Sequence, residues 1–250
     1  MCPRSCNLPL ILHHTNRMTK TQEIKTPPGK RGALARPLDA LVFLLPLLVF
    51  YEVASWYARD RVIAFHLLRM FFELFGRVGM WAPALAVVVI LLATHAVSGE
   101  PWKVHWSRVG WMYVEAVVLA IPLLVLNQAI GLAGLAEPSA SRLDDVALSV
   151  GAGIYEELVF RLILISVVVL IGVDMLRRRA SSVAVVAVVL SSLVFAAHHH
   201  QPIGTEPFDA LRFGFRAACG AYLAIIFWFR GYGLAAGCHA SYNIAIVALS

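Results

Sequence analysis

Charge is scarce in this chain of 250 residues. Charged residues make up 14% of it and hydrophobic residues 60%, whereas a soluble domain carries about 25% charge. The mean hydropathy is +0.75, and several apolar runs approach or exceed the roughly 20 residues that a helix needs to cross a bilayer. This composition excludes an ordinary soluble domain and predicts an all-α fold, a polytopic bundle of membrane helices.

Other patterns are missing as well. Short strands of alternating polarity are absent, which argues against a membrane β-barrel. We find no internal repeat, which a secondary transporter would often show. None of the four cysteines, Cys2, Cys6, Cys219 and Cys238, stands in a CxxC pair, so neither a zinc knuckle nor a redox pair is indicated.

Basic residues outnumber acidic ones and give a formal net charge of +6. Much of the excess lies in residues 1–36, which we predict to be a disordered cytoplasmic tail, because a basic segment before a first span is the usual orientation signal. Met18 is an alternative start to Met1. Together with the polar loops, the basic run Arg177–Arg179 favours a multi-pass protein of the bacterial cytoplasmic membrane. Nucleic-acid binding is not favoured.

The hydropathy pattern predicts about seven membrane-spanning helices and one amphipathic helix lying on the membrane at 59–77. The predicted spans cover 38–57, 80–97, 109–135, 146–175, 182–197, 208–229 and 234–249. We expect Ser139 or Ser141 to cap the fourth span. The chain then divides into the tail, N-terminal membrane helices at 37–143, and a core at 144–250 that carries the chemistry.

The segment Gly151–Arg161 places Glu156, Glu157 and Arg161 inside an apolar run. A charged residue at the centre of a membrane helix costs about 2.5–3.5 kcal/mol on insertion scales, so three together need a reason. Glu157 and Arg161 are four residues apart, with the acid first, and can form a helical ion pair. Glu156 has no such local partner and must be satisfied from elsewhere in the chain.

Two further polar clusters stand at helical spacing. The fifth span ends in Phe195-Ala-Ala-His198-His199, and the seventh contains His239 and Asn243, four residues apart on one helix face. Polar groups in membrane helices normally face each other or a water-filled cavity. We therefore expect the three clusters to meet in one hydrated pocket.

A carboxylate and an imidazole beside one water form a general-base pair. Glu156 would take the proton of a water that His199 holds, while His239 and Asn243 would donate hydrogen bonds to an oxyanion. That set suits amide hydrolysis. A zinc site made by His199, His239 and Glu156 is the alternative, but the HExxH pattern of zinc hydrolases is missing, so metal-free chemistry is favoured.

Each cluster also has a structural interpretation. Glu157 and Arg161 could serve only as a clamp, and His239 with Asn243 only as an interhelical hydrogen bond. The three histidines at 198–200 could be interfacial. These interpretations leave a non-enzymatic immunity factor or scaffold as one alternative, and a transporter with a glutamate proton relay as another.

Taken in order, the three motifs resemble the CPBP family of CAAX prenyl endopeptidases and bacteriocin-processing or immunity-type (Abi-like) membrane proteins. The motifs that carry the resemblance are Glu156-Glu157-xxx-Arg161, Phe195-xxx-His199 and His239-xxx-Asn243, within residues 144–249. The family implies a glutamate-type intramembrane endopeptidase, long described as a metalloprotease. With no motif residue missing, an inactive copy is not expected.

The resemblance implies a role for each motif residue. By position, Glu156 would be the water-activating glutamate and His199 its partner. His239 and Asn243 would form the oxyanion site, and Glu157 and Arg161 would support the first motif. Spacing from Phe195 selects His199, although His198 and His200 flank it. The implied partners are the lipid bilayer and a membrane-anchored or lipidated peptide. A prenyl group, the cleavage position and the oligomeric state do not follow from the sequence.

Overall fold

The computed structural model describes residues 36–58, 81–131 and 141–249, all of which belong to one compact unit, Arg31–Ser250. These residues form seven helices and, within the same ranges, no strand beyond an isolated bridge between His200 and Glu206. The helices are α1 (Pro37–Ala58), α2 (Ala82–Ser98), α3 (Trp106–Ile130), α4 (Arg142–Met175), α5 (Ala180–Ala197), α6 (Ala210–Arg230) and α7 (Tyr232–Leu249).

The predicted all-α membrane fold is confirmed. Five helices, α1 and α3 to α6, are long and apolar enough to cross a membrane, and α2 is a shorter apolar helix. The predicted third span reached residue 135, but α3 ends at Ile130 because Gly131 adopts a left-handed conformation (φ 74°) that closes the helix. Ser141 occupies the N-cap position of α4. The amphipathic helix predicted at 59–77 and the tail before Arg36 lie outside the described residues.

Helix α7 is the central element of the bundle. All nine residues from Tyr232 to Ala240 are buried, and the helix packs against α3, α4 and α6. Its approach to α4 depends on Gly153, where a Cβ atom would lie 2.5 Å from the backbone nitrogen of Ala240. This close contact sets the second glutamate of α4 opposite His239.

One end of the bundle collects basic residues. Arg36, before α1, pairs with Glu100, after α2, while Arg108 at the start of α3 contacts Asp39 at 2.9 Å. The triple arginine Arg177–Arg179 follows α4 at this end. We call it the arginine-rich end. The opposite end carries the loop between α5 and α6.

Helix α4 changes its winding directly after the glutamate pair. It adopts π-helical turns at Leu158–Ile165 and again at Leu170–Met175, a local widening that is frequent at functional sites. The hydroxyl of Ser191 on α5 donates to the carbonyl of Phe160 at 2.8 Å. A carbonyl within the first widened stretch thereby gains a partner from the neighbouring helix, where lipid could not supply one.

A second buried carboxylate of α1, Glu52, is also paired. Tyr155 on α4 donates its hydroxyl hydrogen bond to Glu52 at 2.9 Å, and both side chains are buried. Glu52 therefore has a hydrogen-bond partner inside the bundle. The contact joins α1 to α4 beside the glutamate pair.

Candidate active site

Glu157 is the centre of a buried charged cluster. Its Oε1 lies 2.8 Å from Arg161 Nη1 and 2.9 Å from His239 Nδ1, and neither Glu157 nor Arg161 is exposed. The second guanidinium nitrogen of Arg161 donates to the carbonyl of Gly220 at 3.1 Å, and the group lies 4.4 Å from the centroid of the Phe195 ring. The helical ion pair predicted from spacing is thus formed, and it ties α4 to α5, α6 and α7.

Glu156 is buried, and no ionic partner lies closer than 3.9 Å to it among the residues that the structure describes. Its Oε1 lies 3.9 Å from His198 Nε2 and 4.0 Å from His199 Nε2, and its Oε2 lies 3.9 Å from His239 Nε2. Within the described ranges, Oε2 has no hydrogen-bond partner. Gaps of this size exceed a direct hydrogen bond and match the spacing that a bridging water fills. The three motifs therefore meet around one carboxylate.

The backbone fixes how two of the histidines present their rings. Nδ1 of His198 and Nδ1 of His199 lie 3.0 and 2.9 Å from the carbonyl oxygen of Phe195. A carbonyl can only accept, so each Nδ1 carries a proton, and the Nε2 atom of each ring faces Glu156. Burial lowers the pKa of His199 from its ordinary 6.5 to about 2, which keeps that ring neutral.

The third histidine of the run has a different environment. His200 donates from Nδ1 to the carbonyl of Pro207 at 3.1 Å, and its ring packs against Phe208 and Phe213. It anchors the loop between α5 and α6. The structure therefore separates His200 from the site and places His198 as near to the first glutamate as its neighbour. Spacing alone selected one histidine where the fold brings two.

A cavity of about 390 Å³ opens beside these groups. It is lined by Glu156, His199, His239 and Asn243, which are four of the six candidate residues. The other two, the arginine and the second glutamate, lie buried behind the cavity wall. The carboxylate, the imidazoles and the asparagine amide thus share one space, as a hydrated pocket requires.

The mouth of this cavity carries a second ionic cluster. Arg216 holds Glu206 with two bonds of 2.9 and 2.7 Å, and Arg212 lies 3.5 Å from the same carboxylate. The hydrogen bonds from Arg216 hold the pKa of Glu206 below its ordinary value. All three side chains line the cavity. We name this set the rim cluster. The sequence did not predict it, because Glu206 is ten residues from Arg216 and is separated from it by a turn.

Three of the site residues could hold a metal ion. One ligand atom each from Glu156, His198 and His199 lie within 4.8 Å of one another. Two imidazole lone pairs and a carboxylate are ligands of the kind that catalytic zinc takes, so these side chains fit such an ion. The set differs from the one that we expected, because His239 is not a member of the group.

Residues 139–245 match the family model for type II CAAX prenyl endopeptidase Rce1-like proteins. This segment is an Rce1-like domain. No curated protein and no solved structure matches the chain. The Rce1-like domain confirms the resemblance to the CPBP family of intramembrane proteases, and its family is a peptidase family. The domain therefore supports a CAAX-type intramembrane endopeptidase in general terms.

The Rce1-like domain contains every residue of the three sequence motifs. Helices α4 and α7 each contribute one motif, and the remaining motif begins in α5 at Phe195 and ends just after it at His199. Helix α6 contributes the rim arginines and the carbonyl that accepts from Arg161. The helices before residue 139 lie outside the matched segment. They still reach the site, because Leu123 and Asn127 of α3 line the cavity.

Proposed function

We propose that this protein hydrolyses a peptide bond of a membrane-anchored or lipidated substrate, with Glu156 as the general base. The observation that carries the proposal is the placement of Glu156. Its carboxylate is buried in a cavity wall, three imidazole Nε2 atoms surround it at 3.9–4.0 Å, and Oε2 lacks a partner among the described residues. A buried carboxylate without a close cation is suited to gaining and releasing a proton.

In the first step a water between Glu156 and His199 attacks the scissile carbonyl carbon. One water hydrogen points to the Nε2 lone pair of His199, and the other passes to Glu156. The water oxygen forms its bond to carbon while the carbonyl π electrons move onto oxygen. Glu156 then gives the proton to the departing amine nitrogen as the carbon–nitrogen bond breaks. The proton taken from water thus ends on the amine product.

The developing oxyanion needs donors on the other side of the cavity. Asn243 lines that space and offers two amide N–H groups. In the neutral ring, His239 donates from Nδ1 to Glu157, so its Nε2 becomes a donor only after it gains a proton. As an imidazolium, the ring would donate from Nδ1 to Glu157 and from Nε2 to the oxyanion. We assign His239 and Asn243 to the oxyanion, and Glu157 with Arg161 to holding His239.

A zinc ion would also fit beside the base. Glu156, His198 and His199 would hold it, and the ion would supply a bound water of lowered pKa and a Lewis acid for the carbonyl. In that arrangement Glu156 would be a ligand. A chelator therefore distinguishes the two arrangements, and we favour the metal-free one that the sequence indicated.

We place the arginine-rich end in the cytoplasm of a bacterial cell, in keeping with the positive-inside rule. The N-terminus is then cytoplasmic. The cavity is lined by Asn127 and Val247, in the last turns of α3 and α7, and by Glu206, in the loop before α6. These positions lie at the opposite end of the bundle. The substrate would consequently enter from the non-cytoplasmic face.

The test is a cleavage assay in liposomes with a fluorogenic lipidated peptide ending in a CAAX sequence. Wild type, Glu156→Ala and His199→Ala are compared, each with and without a strong chelator. We expect cleavage by wild type alone, unaffected by the chelator. Loss with chelator and recovery with zinc would support the metal-bound arrangement instead. Equal cleavage by both variants would overturn the proposal. Variants that do not cleave the peptide but keep the wild-type melting temperature would show that these residues serve catalysis and not folding. A purely structural polar cluster would instead lose stability in each variant.

A further inference from the structure

The rim cluster places a carboxylate on two arginines at the mouth of the reacting cavity. Arg216 grips Glu206 with both of its terminal nitrogens, a bidentate geometry that matches any carboxylate. Arg212 Nη1 lies 3.5 Å from Oε2 of the same carboxylate. Glu206 comes from the loop between α5 and α6, and its side chain is 33% exposed, so it can leave Arg216 without unfolding a helix.

The residue spacing on α6 gives the distance along the helix axis between the rim cluster and the buried Arg161. Arg161 donates to the carbonyl of Gly220. Arg216 and Arg212 stand four and eight residues earlier, roughly 6 and 12 Å along the helix axis at 1.5 Å per residue. Helical side chains also lean towards the N-terminus, which here is the mouth. The guanidinium groups therefore form a line that runs from the level of Gly220 to solvent.

We propose that Arg216 binds the C-terminal carboxylate of the peptide substrate, which takes the place of Glu206 while Glu206 moves to Arg212. This inference rests on the proposed function. A CAAX sequence ends three residues after its cysteine, and three extended residues reach about 10 Å. That length is comparable with the roughly 6 and 12 Å that separate Arg216 and Arg212 from the level of Gly220 along the helix axis. No guanidinium is left without a carboxylate in either state.

The ligand class separates this site from the catalytic cluster. The Glu156 pocket offers groups for a carbonyl and a water, whereas Arg216 offers charge and paired donors to an anion. The rim cluster thus selects for a free chain end near the reacting bond. A peptide whose chain continues past the cavity, or whose end is an amide, lacks the charge that Arg216 prefers.

The test compares two fluorescent lipidated peptides that differ only in ending as a carboxylate or a carboxamide. Binding to the full-length protein in nanodiscs is read by anisotropy, which needs no turnover, and cleavage is read in parallel. We expect wild type to bind the carboxylate peptide about 10-fold to 100-fold more tightly, the range of a charge-assisted pair. Arg216→Gln should bind both peptides alike.

Glu206→Gln should change the affinity for the carboxylate peptide in a direction that a purely structural ion pair would not produce. With the internal competitor neutral, the carboxylate peptide should bind several-fold more tightly than to wild type, and the amide peptide should be unchanged. Arg230→Gln is the matched control, because Arg230 pairs with Glu115 at the far end of the same helix. It should leave the carboxylate preference intact.

The outcomes separate the inference from the proposed function. A carboxylate preference without cleavage would sustain the rim assignment and count against the peptidase chemistry with this substrate. Cleavage with no preference between the two peptides would overturn the rim assignment alone. Weaker carboxylate binding by Glu206→Gln would also overturn it, since that result makes Glu206 a support of Arg216 rather than its occupant.

Discussion

The two adjacent glutamates of α4 should respond differently to substitution by glutamine: Glu157→Gln should mainly lower stability, and Glu156→Gln should mainly lower turnover. Glu157 pairs with Arg161 at 2.8 Å and accepts a hydrogen bond from His239, and its side chain has no exposure to solvent. Glutamine keeps the size but removes the charge, which leaves the buried guanidinium unpaired. Breaking a buried ion pair costs about 3–5 kcal/mol. At about 2–4 °C per kcal/mol for a chain of this size, Glu157→Gln should lower the melting temperature by roughly 6–20 °C.

Glu156→Gln should leave folding nearly unchanged. The nearest basic groups are 3.9–4.0 Å away, so little direct bonding is lost, and we expect a change within about 1 kcal/mol. Turnover should fall about 100-fold to 10,000-fold, the range for removing a general base. Melting curves in detergent and the liposome assay measure the two effects on the same preparations. Equal destabilisation by both variants, or turnover retained by Glu156→Gln, would refute the division of labour.

Three other properties can be tested on the same preparation. Gly153→Ala should destabilise the protein by about 1–3 kcal/mol, because its Cβ meets the α7 backbone at 2.5 Å; Gly110→Ala, with nothing within 4 Å, is the control in thermal unfolding. Glu206 has a lowered pKa, so its contribution to stability should be complete above pH 4.5 and disappear as the pH falls through the lowered value. A pH series of melting curves should lose this component in Glu206→Gln. Cysteines introduced at Thr205 and Arg178 should react with an impermeant thiol reagent from opposite sides of the membrane, and labelling from one side would contradict the topology.

The sequence predicted the helices well because their signal is continuous. An apolar run longer than a bilayer can satisfy its backbone in few other ways, and the boundaries of α1 and α4 to α6 differ from the predicted spans by a few residues. The end of α3 was misplaced because hydropathy does not register the left-handed turn at Gly131. That turn depends on backbone conformation.

The candidate site was predictable to the extent that its groups recur at helical spacing. Glu157 with Arg161 follows from a four-residue interval on one helix. The hydrogen bond from His239 to Glu157 does not, because it depends on how two helices approach at Gly153. The motif spacing selected His199 rather than His198, because His199 lies four residues after Phe195 and His198 only three. In the structure both rings contact the carbonyl of Phe195 after the end of α5.

Helix α4 is longer than a bilayer needs. Its 34 residues extend for about 50 Å at 1.5 Å per residue, against about 30 Å of hydrocarbon, and Glu156 lies about 20 Å from its first residue. A helix with this excess must tilt or thicken the surrounding lipid, and either response changes how deep the glutamate lies. Acyl-chain length would then regulate hydrolysis: thin bilayers would bring water closer to Glu156, and thick ones would bury it.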